Sequence, residues 1–452
     1  MNFVLSLILE LFLMLGYFFS HYLMKKTFGN MSPLQFLTHQ YLFYVDIFIY
    51  SVASIPMMLF GFRSVGQLRA GITDDNVYFA YCAVLYSIIM VPLFIWLFSG
   101  GKIKRKLSWY LLQDVNTGKS EHDQIFFSCA TVFSCACVVY LCIYNAPLWK
   151  LLTGRIQSVI TERIAYSRNF QGSTFVRNIF CQTYVVLISY ITFIYWITEK
   201  THFWKSTFII NFLCALFVYG ASLSRSGMIS YLIPLIFLWQ YSGKRIRFTK
   251  YVQIILLLIC IIAVMFEIAS KSSTSAIKIL LDIQNGPIFR LFFIQMQSLP
   301  VYHMVFPRHT GFGYFKSITL FNYLGLSDFF EPGRIVQSYI EPDAVRLGKA
   351  GVANTLFMSD AYASFGWAGF FLSPIVVAFC FVFSYNKLLD SEKNPVNIAA
   401  HTCIIYQYCI AYTGGFSSTY LFSIKIISIY IFLLFYHACD YTFTRRVQSR
   451  RR

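Results

Sequence analysis

Apolar residues occur in long blocks along this chain, not at the one-face spacing of a helix on a soluble domain. Blocks lie near 2–20, 41–61, 77–99, 125–144, 177–197, 207–222, 227–240, 251–269, 363–385, 399–414 and 420–440. Crossing hydrocarbon takes about 20 helical residues, and most of these blocks reach that length. Lipid offers no water to a backbone N–H or C=O, so each block must close its own hydrogen bonds as a helix. The pattern predicts an all-α, polytopic membrane helix bundle of about eleven transmembrane helices, a single integral membrane domain over 1–452. One polar interval, 270–362, is long enough to be a large external loop, partly helical. Within it, 278–299 (KILLDIQNGPIFRLFFIQMQSL) mixes apolar residues with Asp282 and Arg290, and reads as an interfacial or re-entrant helix.

Composition agrees with the pattern. Hydrophobic residues make up 57% and charged residues 12%, with a mean hydropathy of +0.60, which excludes a soluble globular domain. The 12 cysteines include no CxxC pair, so they read as small apolar residues with no zinc or disulfide framework. The first apolar block lacks a basic leader and a small-residue cleavage site, and reads as a span, not a cleaved signal.

Charge gives the orientation. Lys25 and Lys26, the group Lys102, Lys104, Arg105 and Lys106, the run Lys244, Arg245, Arg247 and Lys250, and the tail Arg445, Arg446, Arg450, Arg451 and Arg452 fall on one side of an eleven-span arrangement. By the positive-inside rule that side is cytoplasmic, leaving the N-terminus outside and the C-terminus inside. Loops 145–176 and 270–362 and the turn 223–226 then face out, carrying Arg155, Arg163, Arg168, Arg225, Arg290, Arg308, Arg334 and Arg346. A guanidinium fork matches phosphate oxygens two at a time, so an external site for a phosphate or diphosphate is expected. Ordinary surface charge or lipid headgroup contact is the alternative for each arginine. Arg225 stands apart, in a turn (ASLSRSGMIS) so short that its side chain must lie near the interface. Snorkelling to the headgroups is its structural alternative.

The most polar stretch, Glu331 to Gly369, runs from the loop into an apolar helix and carries Arg334, Glu341, Asp343, Arg346, Lys349, Asn354, Asp360 and Tyr362. Charge at a helix entrance in a membrane protein is costly, which marks the stretch as a candidate site; a solvated loop with a helix cap is the alternative. Glu341-Pro-Asp343 has an acid-x-acid spacing, but a divalent ion wants more oxygen ligands, and no metal is expected. His303 and His309 share the loop and are the residue type that could serve there as a general base. Glu10, Glu267 and Lys425 sit inside apolar blocks and mark a polar cavity or an internal ion pair. No Walker loop, dinucleotide fingerprint or HExxH pattern is present.

Two segments carry a family resemblance. SLSRSGMISYLIPLI after one span and NTLFMSDAYASFGWAGFFLSPIVVAF after the long loop resemble the O-antigen polymerase family, the Wzy-type repeat-unit polymerases, and the layout of the whole chain is similar. The Arg-x10-Gly pattern described for some members does not occur at Arg225, Arg334 or Arg346. The resemblance implies a glycosyltransferase of the bacterial inner membrane, active at its periplasmic face in lipopolysaccharide or related polysaccharide synthesis. It would move a growing glycan from undecaprenyl diphosphate to the next lipid-linked repeat unit. Arg163, Arg168, Arg225, Arg334 and Arg346 would hold the diphosphate, and Asp360, Glu341, Asp343 and His309, in that order, are the candidates to accept the proton of the attacking hydroxyl. The expected partners are undecaprenyl-diphosphate-linked oligosaccharide, membrane lipids and a chain-length regulator protein, with no cofactor and no nucleic acid. An O-antigen ligase and a lipid-linked oligosaccharide flippase are the alternatives; the length of loop 270–362 weighs against a flippase.

Overall fold

The computed structural model describes residues 3–450 except 34, 119, 157, 294, 329 and 349 and the interval 245–291, in which only 249 and 253 are described. The span expected over 251–269, Glu267, Arg290, Lys349 and most of 278–299 therefore lie outside the described residues. The described chain is helical throughout, with no strand. Its long helices, in order, are α1 (Phe3–Phe28), α2 (Thr38–Leu59), α3 (Asp74–Ser99), α4 (Glu121–Ile143), α5 (Val176–Glu199), α6 (His202–Gly220), α7 (Arg225–Tyr241), α8 (Phe357–Asp390), α9 (Pro395–Ala411) and α10 (Phe416–Thr442). Eight of these are long and apolar enough to cross a membrane; α7 and α9, at 17 residues each, are the shorter two. Outward faces carry large apolar side chains such as Leu11, Phe18, Val132 and Leu434, as expected where lipid is the solvent.

The described lysines of the first two basic clusters gather at one end of the bundle. The Lys26 ammonium sits 4.5 Å over the Trp96 ring, and the stem of Lys104 lies against Gly29, which joins the last turns of α1 and α3. Lys106 pairs with Asp390 at 2.7 Å, bringing in the end of α8. An amphipathic helix, Ile103–Leu112, lies across this end with Trp109 and Leu112 exposed. Lys393, buried in the α8–α9 connection, donates to the carbonyls of Tyr110 and Gln113, both at 2.6 Å. Asp123 at the start of α4 accepts from the hydroxyls of Tyr195 and Tyr436 at 2.7 and 2.6 Å, tying α5 and α10 to the same end.

The far end is closed by short helices. Ser6 donates to Leu59 O at 2.8 Å and Arg63 pairs with Asp74 at 3.1 Å, linking the start of α1 to the turn between α2 and α3. Helix Leu299–Val305 packs on α3, with Asn76 donating to His303 Nδ1 at 3.1 Å. Helix Pro332–Ile340 places Val336 and Ile340 inward, Ile340 lying directly against Gly66. The segment 331–362 packs on this end through buried residues: Val336, Ile340, Ala353 and Leu356.

Lys393 supplies a test of the basic end. Burial holds its amine down at about 8, with Asp114 opposing. The unfolded amine titrates near 10.4, so between these values the unfolded chain binds the extra proton and stability rises with pH. Thermal unfolding in detergent is expected to show a midpoint rising from about pH 8 to about pH 10, a rise that Lys393→Met flattens.

Candidate active site

Asp360 is one turn into α8, and the local sequence explains why the helix begins there. The Phe357 amide donates to Tyr412 O at 2.9 Å, so the first turn of α8 is anchored on the end of α9. Six residues past Asp360 the helix breaks: Gly366 has φ 63°, ψ −147°, a conformation open essentially to glycine. The break turns the chain so that a Cβ at Gly369 would collide with the carbonyl of Ala361. The two glycines thus serve a close approach within one broken helix. Ser364 secures the short first half, bonded to the hydroxyls of Ser317 at 2.9 Å and Ser417 at 3.0 Å.

The partner of Asp360 comes from the far end of α9. Gly414 (φ 130°) and Gly415 (φ 88°) bend the chain back, and the amides that follow point at the carboxylate. Ser417 N donates to Asp360 Oδ2 at 3.0 Å, and the Phe416 amide also bonds to the carboxylate. Unsatisfied amides at a helix start suit a carboxylate, and two of them fix its orientation. Asp360 is only 9% exposed, and that exposure opens into a cavity of about 270 Å³ lined also by Tyr302, Glu331, Asn354, Thr355 and Ser418. Burial, and then the charges of Asp360 and Glu331, push the Tyr302 phenol well above its usual value, so it stays a neutral hydroxyl beside the acids. The cavity joins a buried acid to the carbonyls, hydroxyls and amides that a sugar hydroxyl needs for orientation.

The other residues singled out from the sequence are placed as follows. Arg334 pairs with Glu331 at 3.0 Å at the rim of the cavity, half exposed. Arg346 pairs with Asp343 at 3.4 Å with both side chains largely in solvent, at 80% and 72% exposure. Glu341 is exposed and accepts from Gln337 at 3.0 Å. His309 is exposed, with the Tyr339 ring 5.6 Å away. His303 stacks on Phe79 at 4.2 Å and is held below its usual pKa by burial, then by Arg308, with Asp75 opposing. Arg163 is exposed on helix Val159–Arg168. Arg168 donates to the carbonyls of Gly348 and Ala350, fastening loop 145–176 to the 331–362 segment. Arg225 is the first residue of α7, after Ser224 in extended conformation; its side chain lies outside the described residues. Arg334 and Arg346 therefore meet Glu331 and Asp343; the expected convergence of the two on one pocket is not in their contacts, because nearby carboxylates satisfy them locally.

Sequence reasoning passed over two residues. Glu331 lines the cavity beside Asp360, and no spacing to Asp360 marks it. Asp46 is fully buried in α2 with neither carboxylate oxygen hydrogen-bonded among the described residues, and an acid inside the apolar block 41–61 was the available signal. Lys425 lines a small cavity of about 30 Å³ with Gln182, Gln407, Tyr219, Tyr406 and Ser230, and has no ion pair among the described residues.

The two arginines of the far end differ in what they hold. Arg168→Ala is expected to speed limited proteolysis within 345–352 by about tenfold or more, since losing even one charged hydrogen bond there costs on the order of 1.5 kcal/mol. Arg346→Ala is expected to leave that rate unchanged, because an exposed pair contributes about 0–1 kcal/mol.

Searched against family models, curated proteins and solved structures, the chain finds no match.

Proposed function

We propose that this chain polymerises lipid-linked oligosaccharide repeat units, by glycosyl transfer from an undecaprenyl-diphosphate-linked glycan to the next lipid-linked unit. The observation that carries the reading is the Asp360 carboxylate, held by two backbone amides at the floor of a polar cavity, at the end of the bundle away from the basic clusters. On the positive-inside rule the basic end is cytoplasmic and the cavity opens at the periplasmic face of the inner membrane. The same rule fits eleven spans. Gly243, at the end of α7, lies against the carbonyl of Leu111 at the basic end, and Ser298 donates to Asn354 O at the far end.

In this reading an acceptor hydroxyl attacks the anomeric carbon of the donor glycan while its proton passes to Asp360. The bond to the diphosphate oxygen breaks, and the departing diphosphate takes the electron pair. A carboxylate fixed by two amides in a buried site is a general base worth about 10²–10⁴-fold. The diphosphate charge calls for cations nearby; Arg334 at the cavity rim and Arg225 at the start of α7 fill this role. Arg163, Arg168 and Arg346 assist more remotely, Arg168 by holding the segment that covers the cavity. Glu331 keeps Arg334 in place.

The surface-glycan profile of a strain lacking the chain tests the proposal. A ladder collapsed to one repeat unit on otherwise normal lipid A core is the expected result. Complete loss of substituted core indicates a ligase or a flippase instead.

A further inference from the structure

We propose that the cleft lined by residues 311–316, 321, 325–328 and 330 is a carbohydrate-binding subsite that holds the oligosaccharide of the lipid-linked substrate beside Asp360. This deepens the polymerase reading and rests on it for the identity of the ligand. The cleft encloses about 1090 Å³, more than the Asp360 cavity, and Phe330 lines both. Phe330 stands between the two, so a chain of sugars lying in the cleft would end next to the transfer site.

The lining is unusual for a surface loop. Tyr314 and Phe315 are 58% and 62% exposed, and the Phe321 ring centre lies 6.4 Å from that of Phe315. These rings project from a fixed base. Gly313 N donates to Ala363 O at 3.0 Å, Ser317 is bonded to Ser364, and Phe312 lies against the helix break at Gly366. Gly313 leaves no room for a Cβ because the Phe330 ring occupies that space. Tyr314 holds φ +48°, in the left-handed region that a tyrosine seldom adopts, so its outward position is kept against local strain. Lys316 and Asp328 stand exposed at the edge with no ion pair among the described residues.

Sugar rings have apolar C–H faces and a rim of hydroxyls. Aromatic faces are electron-rich and attract the weakly positive C–H groups, while isolated charged and polar side chains take up the hydroxyls. A cleft built for phosphate would show converging cations, and among its described lining residues this one has a single lysine. The rival use for exposed rings is insertion into the membrane interface.

The test uses the full chain in nanodiscs, with oligosaccharide released by mild acid from the surface polysaccharide of the cell that makes the chain. Saturation-transfer NMR and titration are expected to show binding by the wild type. Tyr314→Ala and Phe315→Ala should weaken it at least tenfold, Phe315→Trp should retain it, and Asp360→Asn should bind as wild type. Absence of wild-type binding, or equal binding by the alanine variants, overturns the subsite. Quenching of Phe315→Trp fluorescence by brominated lipid, undiminished by oligosaccharide, overturns it in favour of membrane insertion. Should the rings control binding while Asp360→Asn still extends chains, the subsite stands and the transfer-site assignment fails. An essential Asp360 with ring-independent binding leaves the transfer site standing and removes the subsite.

Discussion

Asp360→Asn is expected to abolish chain extension while the protein accumulates at its wild-type level. The amide has the same shape, and its carbonyl oxygen can still accept the Ser417 N–H, so the contact between α8 and the 412–420 connection survives. A neutral amide cannot take the proton of an attacking hydroxyl, and the expected loss in transfer rate is about 10²–10⁴-fold. Asp360→Ala should do more. It leaves the Ser417 and Phe416 amides unpaired in a buried setting, which costs on the order of 1–3 kcal/mol for each, and protein level should fall together with activity. Glycan ladders read beside immunoblots separate the two effects. A normal ladder from Asp360→Asn at normal protein level would remove Asp360 from the chemistry. Glu341→Gln and Asp343→Asn, both exposed, should leave the ladder unchanged.

Gly366→Ala is the second large effect. The break at φ 63°, ψ −147° lies in a region closed to residues with a Cβ, and forcing one there costs on the order of 1–3 kcal/mol before any contact is considered. The contact adds to this, because the new Cβ would meet the Phe312 ring at 3.2 Å. Relief requires either straightening α8, which pulls Asp360 from the Ser417 amide, or moving Phe312 and with it the 311–317 segment. Both routes disturb the cavity, so a lower thermal midpoint and a shortened ladder are expected together. Gly351→Ala is the control: no atom lies within 4 Å of its new Cβ, and both readouts should match wild type. An undiminished midpoint for Gly366→Ala would mean that the chain tolerates a continuous helix here.

What the amino-acid pattern makes legible is what the solvent imposes. Apolar blocks become helices because lipid leaves the backbone no other choice, and each of the eight helices long enough to cross a membrane coincides with a block read from the chain. The gathering of Lys26, Lys104, Lys106 and Lys393 at one end follows from the positive-inside pattern for the first three, while Lys393 is found only in the fold. Asp360 was marked by its place at a helix entrance. The start of α8 was not: hydropathy put it at 363, but the helix begins at Phe357, because Ser359, Asp360 and Ser364 are buried. Their burial depends on Ser317, Tyr412 and Ser417, which are distant in sequence, so hydropathy could not register it. The arginines show the same limit. Counting guanidinium groups in outer loops could not foresee that Arg168 would spend its donors on the carbonyls of Gly348 and Ala350, nor that Arg346 would find Asp343 one turn away. For Arg346 the local partner wins because bringing distant charges together in water gains little, about 1 kcal/mol per pair.

The central claim is that this chain forms glycosidic bonds between lipid-linked units, and reconstitution tests it most directly. Purified chain would be placed in liposomes carrying polyprenyl-diphosphate-linked oligosaccharide, and both the glycan length and the free polyprenyl diphosphate would be measured. The expected result is a ladder of lengthened glycan with one polyprenyl diphosphate released per new linkage, absent with Asp360→Asn. Unlengthened oligosaccharide that has merely crossed the bilayer, with no diphosphate released, would contradict it.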